Sequence, residues 1–361
     1  MTREQICAVW TALSCGIPSR FPAKLYKQYG SFEEIYKNRD TIQKPVNFSK
    51  KYAIIAAEEI AAFCESRGFG ILAYGDPLFP KRLLRLKKPP ALFFYRGDVR
   101  RFERLGTSPA LAVVGTRSST EFGRRITHEI ACELAAAGIT IVSGMAAGID
   151  TAAHEGALKA GGFTVTVWGG GLLKLFPAEN ARLAETIAGT GLILTEYPPE
   201  THATNFTFPN RNRLISGLCD GVFISECKPN SGSLSTAHFA KKQGRPVFVL
   251  MTDYNRTGAK EISELIGEGA VPVTCARDIL NALNLSLDTK LEISAVQKPA
   301  SGPKITDPVL IQLTGGACTV DELADRTEMD ARTLITRLAQ LEMDGLVTAL
   351  PGRKYQLSQG G

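Results

Sequence analysis

From about residue 110 the chain repeats one unit: a short run of β-branched apolar residues, then an Ala-rich stretch with helical spacing. The runs are LAVVG (111–115), ITIVS (139–143), TVTVW (164–168), LILTE (192–196), GVFIS (221–225), PVFVL (246–250) and VPVTC (271–275). Each is apolar on both faces, so each strand is expected to be covered on both sides, and the alternation with helices calls for parallel pairing. The pattern predicts an α/β fold with a doubly wound, mostly parallel, Rossmann-like sheet. Ligands of such sheets bind beyond the carboxyl ends of the strands.

The flanks read differently. Residues 1–65 show helical periodicity broken at Gly16-Ile17-Pro18 and Gly30-Ser31, which predicts a small helical domain of the SAM or helix-hairpin-helix kind. The hairpin GIPSRFPAKLYKQYGS (16–31) could hold a phosphate on its backbone amides, but a purely structural bundle explains it better, since such hairpins also serve as protein contacts. Residues 66–285 form the extended Rossmann-like domain, and 286–305, rich in Ser, Ala and Pro, read as a linker. Residues 306–361 follow a winged-helix spacing, with a turn at Glu328-Met329-Asp330 and a hairpin turning at Pro351-Gly352. Residues 301–361 carry six Lys/Arg against eight Asp/Glu. That balance weakens a duplex-DNA reading and leaves protein contact at least as good.

Composition narrows the class. With 361 residues, 44% hydrophobic and 22% charged, the chain suits several globular domains rather than a disordered one. Its eight cysteines include no C-x-x-C pair, so neither a metal site nor a disulfide framework is expected. The apolar stretch 7–15 faintly resembles a lipoprotein signal but reads better as an amphipathic helix. No apolar run reaches the roughly 18–20 residues of a membrane span, and we expect a cytoplasmic protein without membrane insertion. The net charge is +6, yet residues 81–104 alone hold nine basic against two acidic residues, a net of +7. A solvated face and a binding surface explain that stretch about equally. The interleaved Phe93, Phe94 and Tyr95 read as core strand residues.

Candidate chemistry lies in the loops after the strands. Gly115, Thr116 and Arg117 open a loop into a helix, where amides, a hydroxyl and a guanidinium can hold an anion. Residues 143–150 form a small-residue turn in which Asp150 could cap the helix containing His154. Residues 169–177 carry Lys174 and Phe176, and Ser231, Gly232 and Ser233 open another helix. Asn210, Arg211, Asn212 and Arg213 stand together at a helix start, a grouping suited to anions. Each loop alone is ordinary turn chemistry; together on one sheet edge they favour a phosphate-bearing ligand. No G-x-G-x-x-G follows the first strand and no Gly-Lys dipeptide occurs, so neither a dinucleotide cofactor nor P-loop ATP hydrolysis is expected. His154, Glu196, Asp150 and Glu226 show no catalytic spacing, and His154 reads as a hydrogen-bonded packing residue. Arginines, amides and an aromatic without a catalytic group suit single-stranded nucleic acid.

The series YGDPLFPKRL (74–83), PPALFFYRGD (89–98), VVGTR (113–117), SGMAAGIDTAAHEGAL (143–158), FPAEN (176–180), FPNRNRLISGL (208–218) and SGSLSTA (231–237) closely resembles the DNA processing protein A (DprA/Smf) family. Two departures, Met251-Thr252 in place of Pro-Gly and Ser263 in place of Asn, bear on one late loop. The resemblance implies a protein that binds and protects single-stranded DNA during natural transformation and helps load RecA recombinase onto it. It also implies a homodimer through the Rossmann-like domain, with no cofactor and no catalysis. By motif it assigns DNA contact to Arg117, Asn210, Arg211, Arg213 and the Ser231-Gly232-Ser233 turn, with Lys174 and Phe176 beside them. A nucleotide-processing enzyme using Glu196 is the alternative from another class, and a duplex-reading regulator a third.

Overall fold

The computed structural model describes residues 1–42, 53–229, 231–251, 258–285, 307–313, 318–327, 329–343, 346–350 and 354–357. Residues 1–289 and 290–361 form two compact units. The expected linker and the tips at Glu328 and Pro351-Gly352 lie outside the described residues, as does Thr252.

The first unit opens with α1 (Arg3–Cys15), α2 (Phe21–Tyr29), α3 (Phe32–Lys37) and α4 (Ile54–Ser66). Sequence-local signals set their ends. Thr2 and Gln5 make a reciprocal capping box on α1, Gly30 closes α2 in the left-handed region, and the Ser31 hydroxyl caps α3. Then follow β1 (Gly70–Ala73), β2 (Leu92–Gly97), α5 (Phe102–Thr107), β3 (Ala110–Val114), α6 (Glu121–Ala136), β4 (Thr140–Ser143), α7 (Ile149–Lys159) and β5 (Thr164–Val167). The unit continues through α8 (Ala181–Thr190), β6 (Leu192–Thr195), α9 (Thr207–Gly217), β7 (Gly221–Ile224), α10 (Gly232–Lys242), β8 (Val247–Leu250), α11 (Ala259–Gly267), β9 (Val271–Val273) and α12 (Ala276–Ala282).

The nine strands lie in the order β1-β2-β6-β5-β4-β3-β7-β8-β9. The seven from β3 to β9 pair in parallel, as expected of their apolar runs, but only β3 to β8 are covered on both faces: β9 lies at the edge of the sheet with Val271 and Pro272 exposed, contrary to the expectation for that run. β1 and β2 add an antiparallel edge, with Phe94 opposite Thr195 of β6. The chain winds outward from β3 on one side and from β7 on the other. These two strands are neighbours in register, Ala112 facing Val222, and a crevice opens beyond their carboxyl ends.

One face of the sheet and the first helices share a continuous core that runs from Cys7 and Trp10 through Phe93 and Leu192 to Leu214. The other face packs α6, α7 and α12 over Val113, Phe223 and Phe248. α6 and α7 approach so closely that a Cβ on Gly156 would collide with the carbonyl oxygen of His128. Gly156→Ala is therefore expected to cost about 1–3 kcal/mol by forcing the helices apart. Urea unfolding checks this, and a native midpoint would contradict it.

The second unit comprises α13 (Pro308–Leu313), β10 (Cys318–Thr319), α14 (Val320–Thr327), α15 (Ala331–Met343), β11 (Val347–Leu350) and β12 (Lys354–Leu357). Its strands form an antiparallel sheet in the order β10-β12-β11. Val309, Leu323, Leu334, Leu338 and Val347 make its core, the winged-helix arrangement that the spacing predicts. Among the described residues no helix is long and apolar enough to cross a membrane.

Candidate nucleic-acid interface

A cleft of about 340 Å³ occupies the crevice beyond β3 and β7. Three segments wall it: Gly115, Thr116 and Arg117 after β3, Lys228, Pro229, Ser231, Gly232 and Ser233 after β7, and Phe208, Arg211 and Asn212 of α9. The first loop is pinned to the segment that follows β7. Thr116 N donates to the Glu226 carbonyl at 2.8 Å, and Thr120 N donates to the Glu226 carboxylate at 2.9 Å. Opposite, Ser231 caps α10, its hydroxyl accepting from Ser233 N at 3.3 Å and lying 2.8 Å from the Ser233 hydroxyl. The wall thus presents the N-terminus of an eleven-residue helix with two hydroxyls, a partial positive charge suited to an anion.

Arg117 is exposed, and no ion pair holds it among the described residues. Its guanidinium carbon lies 4.7 Å from the Phe208 ring centroid and 5.8 Å from that of Phe176, within cation–π range. The two rings are 6.0 Å apart. Phe176 is 56% exposed and Phe206 70% exposed, so the rim offers aromatic faces to solvent. Lys174, half-buried on the Phe176 loop, stands outside the cleft lining.

Arg211 forms the floor. It is only 5% exposed; its guanidinium donates to the carbonyl oxygens of Gly144, at 2.8 Å, and Val167, and its Nε donates to Asn212 Oδ1 at 3.1 Å. Burial pushes its pKa down to about 10, against the upward pull of Asp150. Burial likewise raises Asp150, opposed by Arg211 and by the amides of Gly144 and Ala146, which donate to its Oδ2 at 3.1 and 3.2 Å. Asp150 therefore closes the preceding loop, while Gly148 stands at the N-cap of α7. A Cβ on Gly144 would strike the Arg211 guanidinium, which explains glycine there.

The four residues Asn210 to Arg213 do not converge. Successive helical residues point about 100° apart, so only Arg211 and Asn212 line the cleft. Arg213 turns away and clasps Glu196 with two hydrogen bonds of 2.7 Å in a buried pair. Asn210 donates to the Phe206 carbonyl at 2.9 Å. The Glu196 carboxylate of the enzyme alternative is engaged by Arg213 and is not part of the cleft wall. Phe208 and Lys228 were not singled out as contacts from sequence. Phe208 lies three residues before Arg211, hence on the same helix face, and Lys228 lies in the β7 loop three residues before Ser231.

His154 sits on α7 and is fully buried. Thr164 Oγ1 donates to the Ile141 carbonyl at 2.9 Å, so it accepts from His154 Nδ1 at 2.7 Å. His154 Nε2 is buried and has no hydrogen-bond partner among the described residues. Burial, reinforced by Arg211, lowers its pKa to about 3. An unfolded histidine takes up a proton near pH 6.5, so between pH 6.5 and 3 the unfolded chain binds a proton that the fold refuses. Stability is expected to be whole above pH 6.5 and to fall as the pH drops, by up to about 1.4 kcal/mol per unit from this residue. Denaturant titrations of the native protein and His154→Gln over that range check this; parallel acid limbs would contradict it.

Residues 70–284 match the family model for DNA recombination-mediator protein A, and residues 293–353 match that for the DprA winged helix domain. Protein Smf of Escherichia coli is 32% identical over 320 residues, which is 87% of this chain and 83% of that protein. The chain belongs to the DNA processing protein A (DprA/Smf) family. DNA processing protein DprA of Bacillus subtilis is 37% identical over 62% of this chain and 74% of its own length. The crystal structure of DprA from Streptococcus pneumoniae superimposes with a TM-score of 0.62 at 31% identity, over 76% of this chain and 97% of that one. DprA from Helicobacter pylori, whose structure addresses its single-stranded DNA binding mode, gives a TM-score of 0.54 at 33% identity, over 60% and 95%.

Proposed function

We propose that this DprA-family protein binds single-stranded DNA in the cleft beyond β3 and β7. The observation that carries the reading is a cleft wall combining a guanidinium with no ion-pair partner among the described residues, a helix N-terminus with hydroxyls and an aromatic rim. Phosphates would sit against Arg117, Lys228 and the Ser231–Ser233 turn, with Gly115 and Thr116 beside them and Arg211 supplying charge from below. Bases would stack at Phe176, with Lys174 nearby. Asn210 and Arg213 hold α9 in place rather than touch the strand. The single-stranded DNA binding of the Helicobacter pylori relative supports the reading.

Family membership extends it. The protein would protect incoming single strands during natural transformation and pass them to RecA recombinase, as a cytoplasmic homodimer joined through the Rossmann-like unit. Two clefts on one strand would raise avidity through effective concentration. No cofactor and no catalytic step is assigned to it.

Titration of labelled oligothymidine followed by fluorescence anisotropy tests the reading. Tight binding that weakens steeply with salt, with a matched duplex competing poorly and added nucleotides left intact, is the expected result. Indifference to single strands at low salt, or turnover of a nucleotide, would contradict it.

A further inference from the structure

The cleft uses none of the cations between Lys81 and Lys88. That segment is firmly seated. Residues Lys81–Arg85 form a short 3-10 turn in which Arg82 donates to the carbonyls of Leu218, at 3.0 Å, and Ser108, at 3.1 Å, and pairs with Asp220 at 3.1 Å. Leu83 is buried, and Leu83 and Leu86 close over Gly217, where a Cβ would meet their methyl carbons at 3.0 and 3.1 Å. The turn is thus fastened to the C-terminal end of α9 by the Leu218 hydrogen bond, the Asp220 ion pair just beyond it and two leucines, and to the segment before β3 by the Ser108 hydrogen bond.

Fixing Arg82, Leu83 and Leu86 inward leaves Lys81, Arg85, Lys87 and Lys88 exposed. None of the four has an ion-pair partner among the described residues, although ion pairs occupy Arg82, Arg96 and Arg100 nearby in sequence. Four unneutralised cations within eight residues repel one another and stand on a rigid base. This is the arrangement of a polyanion contact rather than of a solvated face balanced by acids. The helix beneath them joins the ridge to the cleft. α9 carries Phe208 and Arg211 at its N-terminal half and Gly217 at its end, and its eleven residues span about 16 Å, a distance that a few extended nucleotides cover.

We infer that Lys81, Arg85, Lys87 and Lys88 form a second contact for the same strand, which leaves the cleft and continues past the C-terminal end of α9, whose residues Arg211–Gly217 are themselves buried. The inference rests on the cleft reading. It adds that the site is longer than the cleft, and that the ridge neutralises backbone phosphates without reading bases. Bound length then separates the two sites. An oligothymidine of about 6 nucleotides fills the cleft alone, and one of about 30 reaches the ridge as well.

The test compares the native protein with the variant Lys81→Gln, Arg85→Gln, Lys87→Gln, Lys88→Gln, its fold verified by circular dichroism and melting. The expected result is short-oligomer affinity within twofold of native, with long-oligomer affinity reduced at least tenfold. The slope of log K against log salt should shrink by about 3 for the long oligomer, four phosphates at roughly 0.7 each. A companion variant that exchanges Lys for Arg and Arg for Lys at the four positions should keep native long-oligomer binding. Unchanged long-oligomer affinity in the Gln variant overturns the inference while leaving the cleft intact, and gives the ridge to an acidic protein instead. Equal losses on both lengths also overturn it, because the ridge would then act through the cleft. Failure of the native protein to bind either length removes the cleft reading first, before any variant is made.

Discussion

Arg213→Met is expected to lower the stability of the first unit by about 3–5 kcal/mol, because it strands the Glu196 carboxylate in a buried site. Both side chains of the pair are about 95% buried, and both hydrogen bonds are 2.7 Å. In a unit of this size each kcal/mol moves the melting temperature by roughly 2–4 °C, so scanning calorimetry should show a fall on the order of 10 °C. The double change Glu196→Leu, Arg213→Met should recover most of it, since a buried pair replaced by apolar residues of similar volume is often neutral. The folded fraction of the single variant should still hold a short oligothymidine, because Arg213 faces away from the cleft. Native melting combined with lost DNA binding would reverse the assignment and make Arg213 a direct contact.

The second large effect concerns binding. Arg117→Ala removes an exposed phosphate partner, and a hydrogen bond to a charged group contributes about 1.5–3 kcal/mol. Phe176→Ala removes a stacking face, which contributes about 1–3 kcal/mol per base. Together they should weaken oligothymidine binding by about a hundredfold or more, with stability near native because both residues are exposed. The Arg117 change should also flatten the salt slope by about 0.7, whereas the Phe176 change should leave that slope alone. Arg117 lies against Phe208 and beside Phe176, so a double-mutant cycle should reveal coupling rather than simple addition. Affinities within twofold of native for both single variants would remove these side chains from the interface.

How much of this was legible beforehand follows from what local pattern can encode. The seven parallel strands lie within a residue or two of their apolar runs; for β3 to β8 this is because a strand buried on both faces announces itself without reference to its neighbours, whereas β9 is an edge strand with Val271 and Pro272 exposed. β1 was missed: GILA is four residues long with glycine at its start, and its place depends on Leu72 pairing with Phe93 and Ile71 with Phe94, residues far along the chain. The strand order was likewise out of reach, since it depends on which crossovers reverse. That order brings the Gly115 loop beside the Ser231 loop, so the cleft exists only once β3 and β7 are neighbours. The loop chemistry at Gly115, Thr116, Arg117, Ser231, Gly232 and Ser233 could be read residue by residue. The division of labour within Asn210 to Arg213 could not, because a cluster in sequence becomes a fan on a helix. One arginine then faces the cleft and the other an acid that lies seventeen residues away in sequence. The ridge from Lys81 to Lys88 was visible as charge. Its attachment to α9 was not, because that depends on Arg82 finding Ser108, Leu218 and Asp220.

The most direct measurement is a crystal structure of the full chain with a short oligothymidine. The account predicts a backbone phosphate in the crevice beyond β3 and β7, within hydrogen-bonding distance of Arg117 and of the amides or hydroxyls from Ser231 to Ser233, with a base against Phe176. A strand bound on another surface while that crevice holds only solvent would contradict it.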